Sequence, residues 1–199
     1  MHLTDGNKAQ LKHKRLLGKV TTKPALRVAI AKDVLKWLTD KRQFRLKPTF
    51  GTYLSGGLIR KQARPMEVNT PLAPLLEEMG ECKVCALGAA FLATVDLLND
   101  VSVYLKEYGD FEYSSGEMRT QLRKAFSEKD LSCIESAFES SDYNLSDFVG
   151  LRTQNAVYKY GEMIKDPKKR LKRIMQNIVD NNGTFSPCKE VWPDATVPR

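Results

Sequence analysis

The chain has 199 residues, 42% hydrophobic and 28% charged, with 32 Lys/Arg against 24 Asp/Glu for a net charge of +8. That length supports one domain with a substantial core. No apolar run approaches the roughly 20 residues of a membrane span and the N-terminus lacks the apolar stretch of a secretory signal, so a cytoplasmic protein without membrane contact is expected.

The charge is segregated. Residues 1–66 carry sixteen Lys/Arg and three acids, a net of +13; residues 67–164 carry eight and seventeen, a net of −9; residues 165–199 return to +4. A front this basic needs an anionic partner or the acidic middle of the same chain to offset its self-repulsion.

Residues 1–24 read as a polar, basic arm, ended by Pro24. Leu26, Ile30, Val34, Trp37 and Leu38 then recur at helical spacing and predict a helix over 25–38. Between Thr49 and Arg60, two short β-rich runs flank Ser55-Gly56-Gly57, which predicts a small β-hairpin near 49–60. Thr70-Pro71 can open a helix closed by Gly80. The run from Val84 to Leu98 is nearly devoid of polar side chains, so it should form a buried central helix. Its small residues Cys85, Ala89 and Ala93 fall at i, i+4 and i+8 and invite close helix packing.

A short helix around Tyr104 and Tyr108 and a loop bounded by Gly109 and Gly116 are expected next, then a helix over 117–126. Ser127 stands as the N-cap of another, with Leu131, Ile134 and Phe138 facing inward. A helix over about 150–164 follows. The last helix has the clearest signature: Asp166 as cap, Pro167 in the first turn, a stripe of Leu171, Ile174, Met175, Ile178 and Val179, and Gly183 as the stop. The expected fold is therefore mostly α, a single-domain helical bundle over 25–187 around the 84–98 helix. The tail over 188–199 should be irregular, with Phe185 and Trp192 pinning the chain end to the body.

No pattern for catalysis stands out. Cys82 and Cys85 form a Cys-x-x-Cys pair at the start of the apolar helix, where unpaired amides favour thiolate; a thiol redox protein is thus one alternative function. Against it, redox dithiols of that kind follow a strand, and here a helix is expected before Gly80; Glu77, Glu78 and Glu81 also oppose thiolate formation. Cys133 and Cys188 are isolated and both histidines, His2 and His13, lie in the arm, so neither a zinc site nor a His-based catalytic set is indicated, and no cofactor is expected. Asp142 opens a calcium-loop-like run that lacks the required glycine and final glutamate. Glu135 and Glu139, one turn apart, are expected on a solvated helix face.

The basic clusters carry the functional expectation. Lys12, Lys14, Arg15 and Lys19 lie in the arm; Arg45, Lys47, Arg60, Lys61 and Arg64 are interleaved with Phe44, Phe50 and Tyr53, a mixture that suits phosphate contact and base stacking. In Lys168-Lys169-Arg170-Leu171-Lys172-Arg173 the leucine should point inward and the five cations outward, against the dipole of their own helix. The expected function is a non-enzymatic binding protein whose Lys/Arg surface docks on nucleic acid or on an acidic, nucleic-acid-handling partner. The other alternative is an inhibitor or adaptor directed at a protein, with self-association among the outcomes.

Taken together, the run from Cys82 to Leu92, Ile134 to Glu139 and Arg170 to Ile178 with Asn182 to Pro187 resemble small uncharacterised proteins of bacteria and their phages, over about residues 25–187. The resemblance implies a bacterial or phage accessory protein that acts by binding host machinery; it brings no site residues with it.

Overall fold

The computed structural model describes residues 22–39, 45–57, 70–71, 76, 80–98, 102–103, 110–112, 115–141 and 145–192. Among them the chain is mostly helical with a small β element, as the sequence leads one to expect. One hydrophobic cluster runs from Ile30 to Phe185.

Helix α1 (Lys23–Thr39) starts with Pro24 in its first turn and buries Ile30, Ala31, Val34, Trp37 and Leu38. Strands β1 (Arg45–Pro48), β2 (Leu54–Gly57), β3 (Thr70–Pro71) and β4 (Glu81–Val84) follow. Helix α2 (Ala86–Leu98) is buried at every position from Ala86 to Val95. It is the central helix, with α1 and α3 (Ser115–Leu122) packed against it. Short strands β5 (Ser102–Val103) and β6 (Asp110–Glu112) lie between α2 and α3, where a helix and a loop were expected.

The β element differs from the expected hairpin. The sheet order is β1-β4-β2-β6, so β1 and β2 each pair with β4 and not with each other, the expected turn at 55–57 belongs to β2, and the expected second arm at 58–60 lies outside the described residues. β1 runs parallel to β4 with Leu46 opposite Cys82, and β2 runs antiparallel to it with Leu54 opposite Val84. Ser55-Gly56-Gly57 is therefore strand, paired with Glu112, Phe111 and Asp110 of β6. The reason is saturation of the ladder: an isolated two-strand hairpin is marginal, whereas β4 also receives the Thr49 N–H at the Val84 carbonyl (2.9 Å) and gives the following Cys85 N–H to Tyr53 (3.1 Å). The central helix accordingly begins at Ala86, because Glu81 and Lys83 are exposed while Cys82 and Val84 are buried, the alternation of a half-covered strand. Thr70-Pro71 likewise pairs with Val103 and Ser102 of β5 instead of opening a helix. The expected 71–79 and Tyr104/Tyr108 helices lie largely outside the described residues.

Helix α4 (Glu128–Glu139) carries the expected cap, a reciprocal box in which Asp130 N–H donates to Ser127 Oγ and Ser127 N–H to Asp130 Oδ2. Such a cap contributes about 1 kcal/mol. Helix α5 (Leu151–Glu162) buries Val157 and Tyr160. Helix α6 (Pro167–Asp180) is capped by Asp166, whose Oδ1 accepts from Lys169 N–H at 2.7 Å. It ends at Gly183, where φ is +88° and a Cβ would collide with the Pro24 backbone. That contact sets α6 antiparallel to α1, its neighbour in the bundle.

The tail is more regular than its composition implied, since Pro187–Val191 forms α7. Phe185 packs edge-on against Tyr160 (5.3 Å, 90°) and Trp192 lies beside Arg152, so both residues pin the chain end as expected.

Candidate functional site

Because α1 and α6 run antiparallel, the last turn of α1 and the first turn of α6 share one end of the bundle. β1 joins them there, in contact with both helices. This end gathers Lys36 from α1, Lys47 from β1, and Lys168, Lys169 and Lys172 from α6, all exposed. Lys32 continues the α1 stripe one turn back. Lys47 pairs with Glu81 across β1 and β4 at 3.0 Å, with both side chains half in solvent, where such a pair contributes little. Lys168, Lys169 and Lys172 have no ion pair among the described residues.

The expectation of five outward cations on α6 fails at Arg170. This side chain is only 3% exposed. Its Nε donates to Ile164 O at 2.7 Å, and its Nη1 donates to the Phe138 carbonyl and to Ser140 Oγ (3.3 Å). It thus satisfies a carbonyl at the negative end of α4, where a cation is favoured, and another just beyond the end of α5. Arg173 is half-buried and turned inward, bonding Glu190 of α7 at 2.7 Å and lying over the Tyr160 ring. Two of the five cations thus find internal anions or dipoles, and the three lysines do not. The acidic middle also absorbs Arg27 of the basic front, whose guanidinium reaches Asp130 at 3.3 Å.

Among the remaining sequence candidates, Lys12, Lys14, Arg15, Lys19, Arg60, Lys61 and Arg64 lie outside the described residues, and only the backbone of Arg45 is described, in β1.

A second correction concerns Glu135 and Glu139. Glu135 is 2% exposed, and its Oε2 pairs with Arg119 of α3, which also grips Glu128. The other oxygen of Glu135 has no hydrogen-bond partner among the described residues. Glu139 is half-buried and accepts the Gly51 N–H at 2.8 Å. Burial raises its pKa above the usual carboxylate value; the Gly51 bond lowers it, Glu135 raises it and Arg170 lowers it. The helical wheel held a signal for this placement: Glu135, four residues past Leu131, borders the apolar arc of Leu131, Ile134 and Phe138.

Phe50, at the turn after β1, lies on the same end. Its ring packs on Phe138 (centroids 5.2 Å, 52° between planes) with the Arg170 guanidinium 4.5 Å from its centroid. It remains 37% exposed.

The surroundings of the cysteine pair also disfavour thiolate. Cys82 lies inside β4 and Cys85 just after it, so the Cys-x-x-Cys pair does not follow a strand and the topological objection to a redox dithiol stands. The environment supplies a stronger one: both thiols are buried, and burial pushes each up to about 12, with Glu81 adding to the rise at Cys82 and Glu139 and Glu135 at Cys85. Among the described residues no group of His, Cys, Asp and Glu is arranged to hold a metal ion, and no helix is long and apolar enough to cross a membrane.

No protein-family model, curated protein or solved structure matches this chain.

Proposed function

We propose that this chain is a non-enzymatic binding protein that docks a lysine-rich end on a polyanion, nucleic acid in the first instance, or on an acidic partner that handles nucleic acid. The observation that carries this reading is the sorting of cations on α6. Arg170 and Arg173 are consumed internally, while Lys168, Lys169 and Lys172 stay exposed and unpaired among the described residues. They occupy the first turns of their helix, where its dipole disfavours them by a few tenths of a kcal/mol each, screened by solvent. A phosphate backbone approaching this end would relieve that mismatch and meet Lys36 and Lys47 as well. The resemblance to small bacterial and phage proteins fits an accessory protein of a bacterium or phage, acting in the cytoplasm on nucleic acid or on the machinery that handles it.

Fluorescence anisotropy with labelled nucleic acid tests this directly. Binding at low salt that weakens steeply as salt rises supports it; no binding at low salt removes it.

One observation favours a protein-directed reading instead. Phe148, in the turn before α5, and Leu151, its first residue, are exposed at 38% and 71%, apolar side chains that a protein partner could cover. Capture of partners from lysate with and without nuclease separates the two, because an adaptor keeps its partner when nucleic acid is destroyed.

A further inference from the structure

A lysine-rich end alone can meet the phosphates of either duplex or single-stranded nucleic acid. Duplex and single strand present the same phosphates but differ in what lies between them. A duplex hides its base faces, whereas a single strand offers them to aromatic side chains. Phe50 is the decisive residue, because it is the one large aromatic left well exposed on this end among the described residues.

Three features make Phe50 more than an incidentally exposed ring. Its position is fixed: Phe138 supports it from the side, Arg170 lies against it, and the next residue is tied down by the Gly51 N–H bond to Glu139. Gly51 has φ of +70°, the left-handed conformation that turns the chain sharply and leaves the preceding side chain at the tip. A ring held in this way loses little conformational entropy when a base stacks on it.

The second feature is electrostatic. Arg170 cannot offer its charge to a phosphate, since its guanidinium is spent on the Ile164 and Phe138 carbonyls. It can still polarise the ring from the protein side, so the cation serves Phe50 and not the ligand. The carboxylate nearest the turn, Glu139, is engaged by Gly51 and offset by Arg170, which limits its repulsion of a strand.

The third feature is placement. Arg170 directly follows Lys168 and Lys169, and Lys47 lies three residues before Phe50. Phe50 and these lysines therefore share one end of the molecule, where β1 meets the first turns of α6. That combination is the one used for single strands without sequence preference.

We infer that the lysine-rich end binds single-stranded nucleic acid, with Phe50 as the platform on which a base stacks. This rests on the polyanion reading above and adds the substrate class to it.

The test compares an oligothymidylate of about eight nucleotides, an abasic strand of the same length, a duplex and heparin, each titrated against the full chain and its variants. Phe50→Ala should weaken oligothymidylate binding about tenfold while leaving heparin and the abasic strand unchanged, since one stacked base is lost and no phosphate contact is. Phe50→Leu keeps the apolar cover over Phe138 and should show the same selective loss, which guards against a folding defect in the alanine variant. Phe50→Trp should retain binding, and its fluorescence should be quenched by oligothymidylate but not by heparin. Equal losses on oligothymidylate and heparin, an unchanged oligothymidylate affinity in Phe50→Leu, or tighter binding of duplex than of single strand would each overturn the single-strand inference and leave the polyanion reading standing. Absence of binding to all four probes would end both.

Discussion

Arg170, in the first turn of α6, donates from its guanidinium to the carbonyl of Phe138, in the last turn of α4. This bond joins two helix ends of opposite polarity, and it removes from the surface a cation that the sequence placed there. Replacing Arg170 by Met leaves the Ile164 and Phe138 carbonyls without their donor and Glu139 without its counter-charge. The expected loss is about 3 kcal/mol in urea unfolding, against at most about 0.5 kcal/mol for Lys169→Met two positions from the helix start. Equal urea midpoints for the two variants would refute the assignment of Arg170 to the interior.

The pair formed by Arg119 and Glu135 behaves as a unit. Glu135 is buried with one oxygen unpartnered among the described residues, so Arg119→Met strands a carboxylate and should destabilise by about 3 kcal/mol. Adding Glu135→Leu removes the stranded charge and should recover most of the loss. A double variant as unstable as the two single losses summed would show that the two side chains are not coupled.

Glu139 should make stability depend on pH in an unusual direction. Its folded-state pKa lies above the ordinary value, mainly through burial, so the folded protein holds its proton more tightly than the unfolded chain does. Its contribution is then greatest below the unfolded pKa and is lost as pH rises through the folded one. Glu139→Gln, which keeps an acceptor for Gly51, should gain stability relative to the parent as pH goes from about 4 to 7. A difference that is flat, or that slopes the other way, would show that the carboxyl is not raised.

The thiols should differ sharply in reactivity. Burial pushes Cys82 and Cys85 up to about 12 and Cys133 up to about 11, whereas Cys188 of α7 is half-exposed. Brief iodoacetamide treatment at neutral pH, read by peptide mass spectrometry, should label Cys188 first and the others only in denaturant. Rapid labelling of Cys82 or Cys85 in the native protein would revive the thiol redox reading.

What the sequence made legible follows from the range of the forces involved. α6 could be read in full because its cap, first-turn proline, apolar stripe and stop glycine are all local. The Ser127 cap of α4 was legible for the same reason. The sheet was not, because parallel pairing of β1 with β4 joins residues far apart in the chain, and Gly56 and Gly57 suit a turn as well as a strand. β4 was hidden in a different way: its alternation of Glu81, Cys82, Lys83 and Val84 runs straight into the apolar helix, so the two periods merge. At the candidate site, the assumption that charge lies outside misplaced Arg170 and Glu135, which flank the apolar arcs of their helices and are drawn in by partners far away in the chain. The exposed lysines needed no such correction, and their convergence with Lys36, Lys47 and Phe50 at one end became visible only once α1 and α6 were seen to be antiparallel.

The central claim is that Lys168, Lys169 and Lys172 meet phosphates. The measurement that tests it most directly is the salt dependence of oligonucleotide affinity for the parent chain and for the K168Q/K169Q/K172Q variant, three substitutions on exposed positions that should leave stability within about 0.5 kcal/mol. The expected result is a parent affinity that falls linearly on a logarithmic salt axis, with the slope reduced by about two to three in the variant. An unchanged slope in the variant, or a parent affinity indifferent to salt, would contradict it.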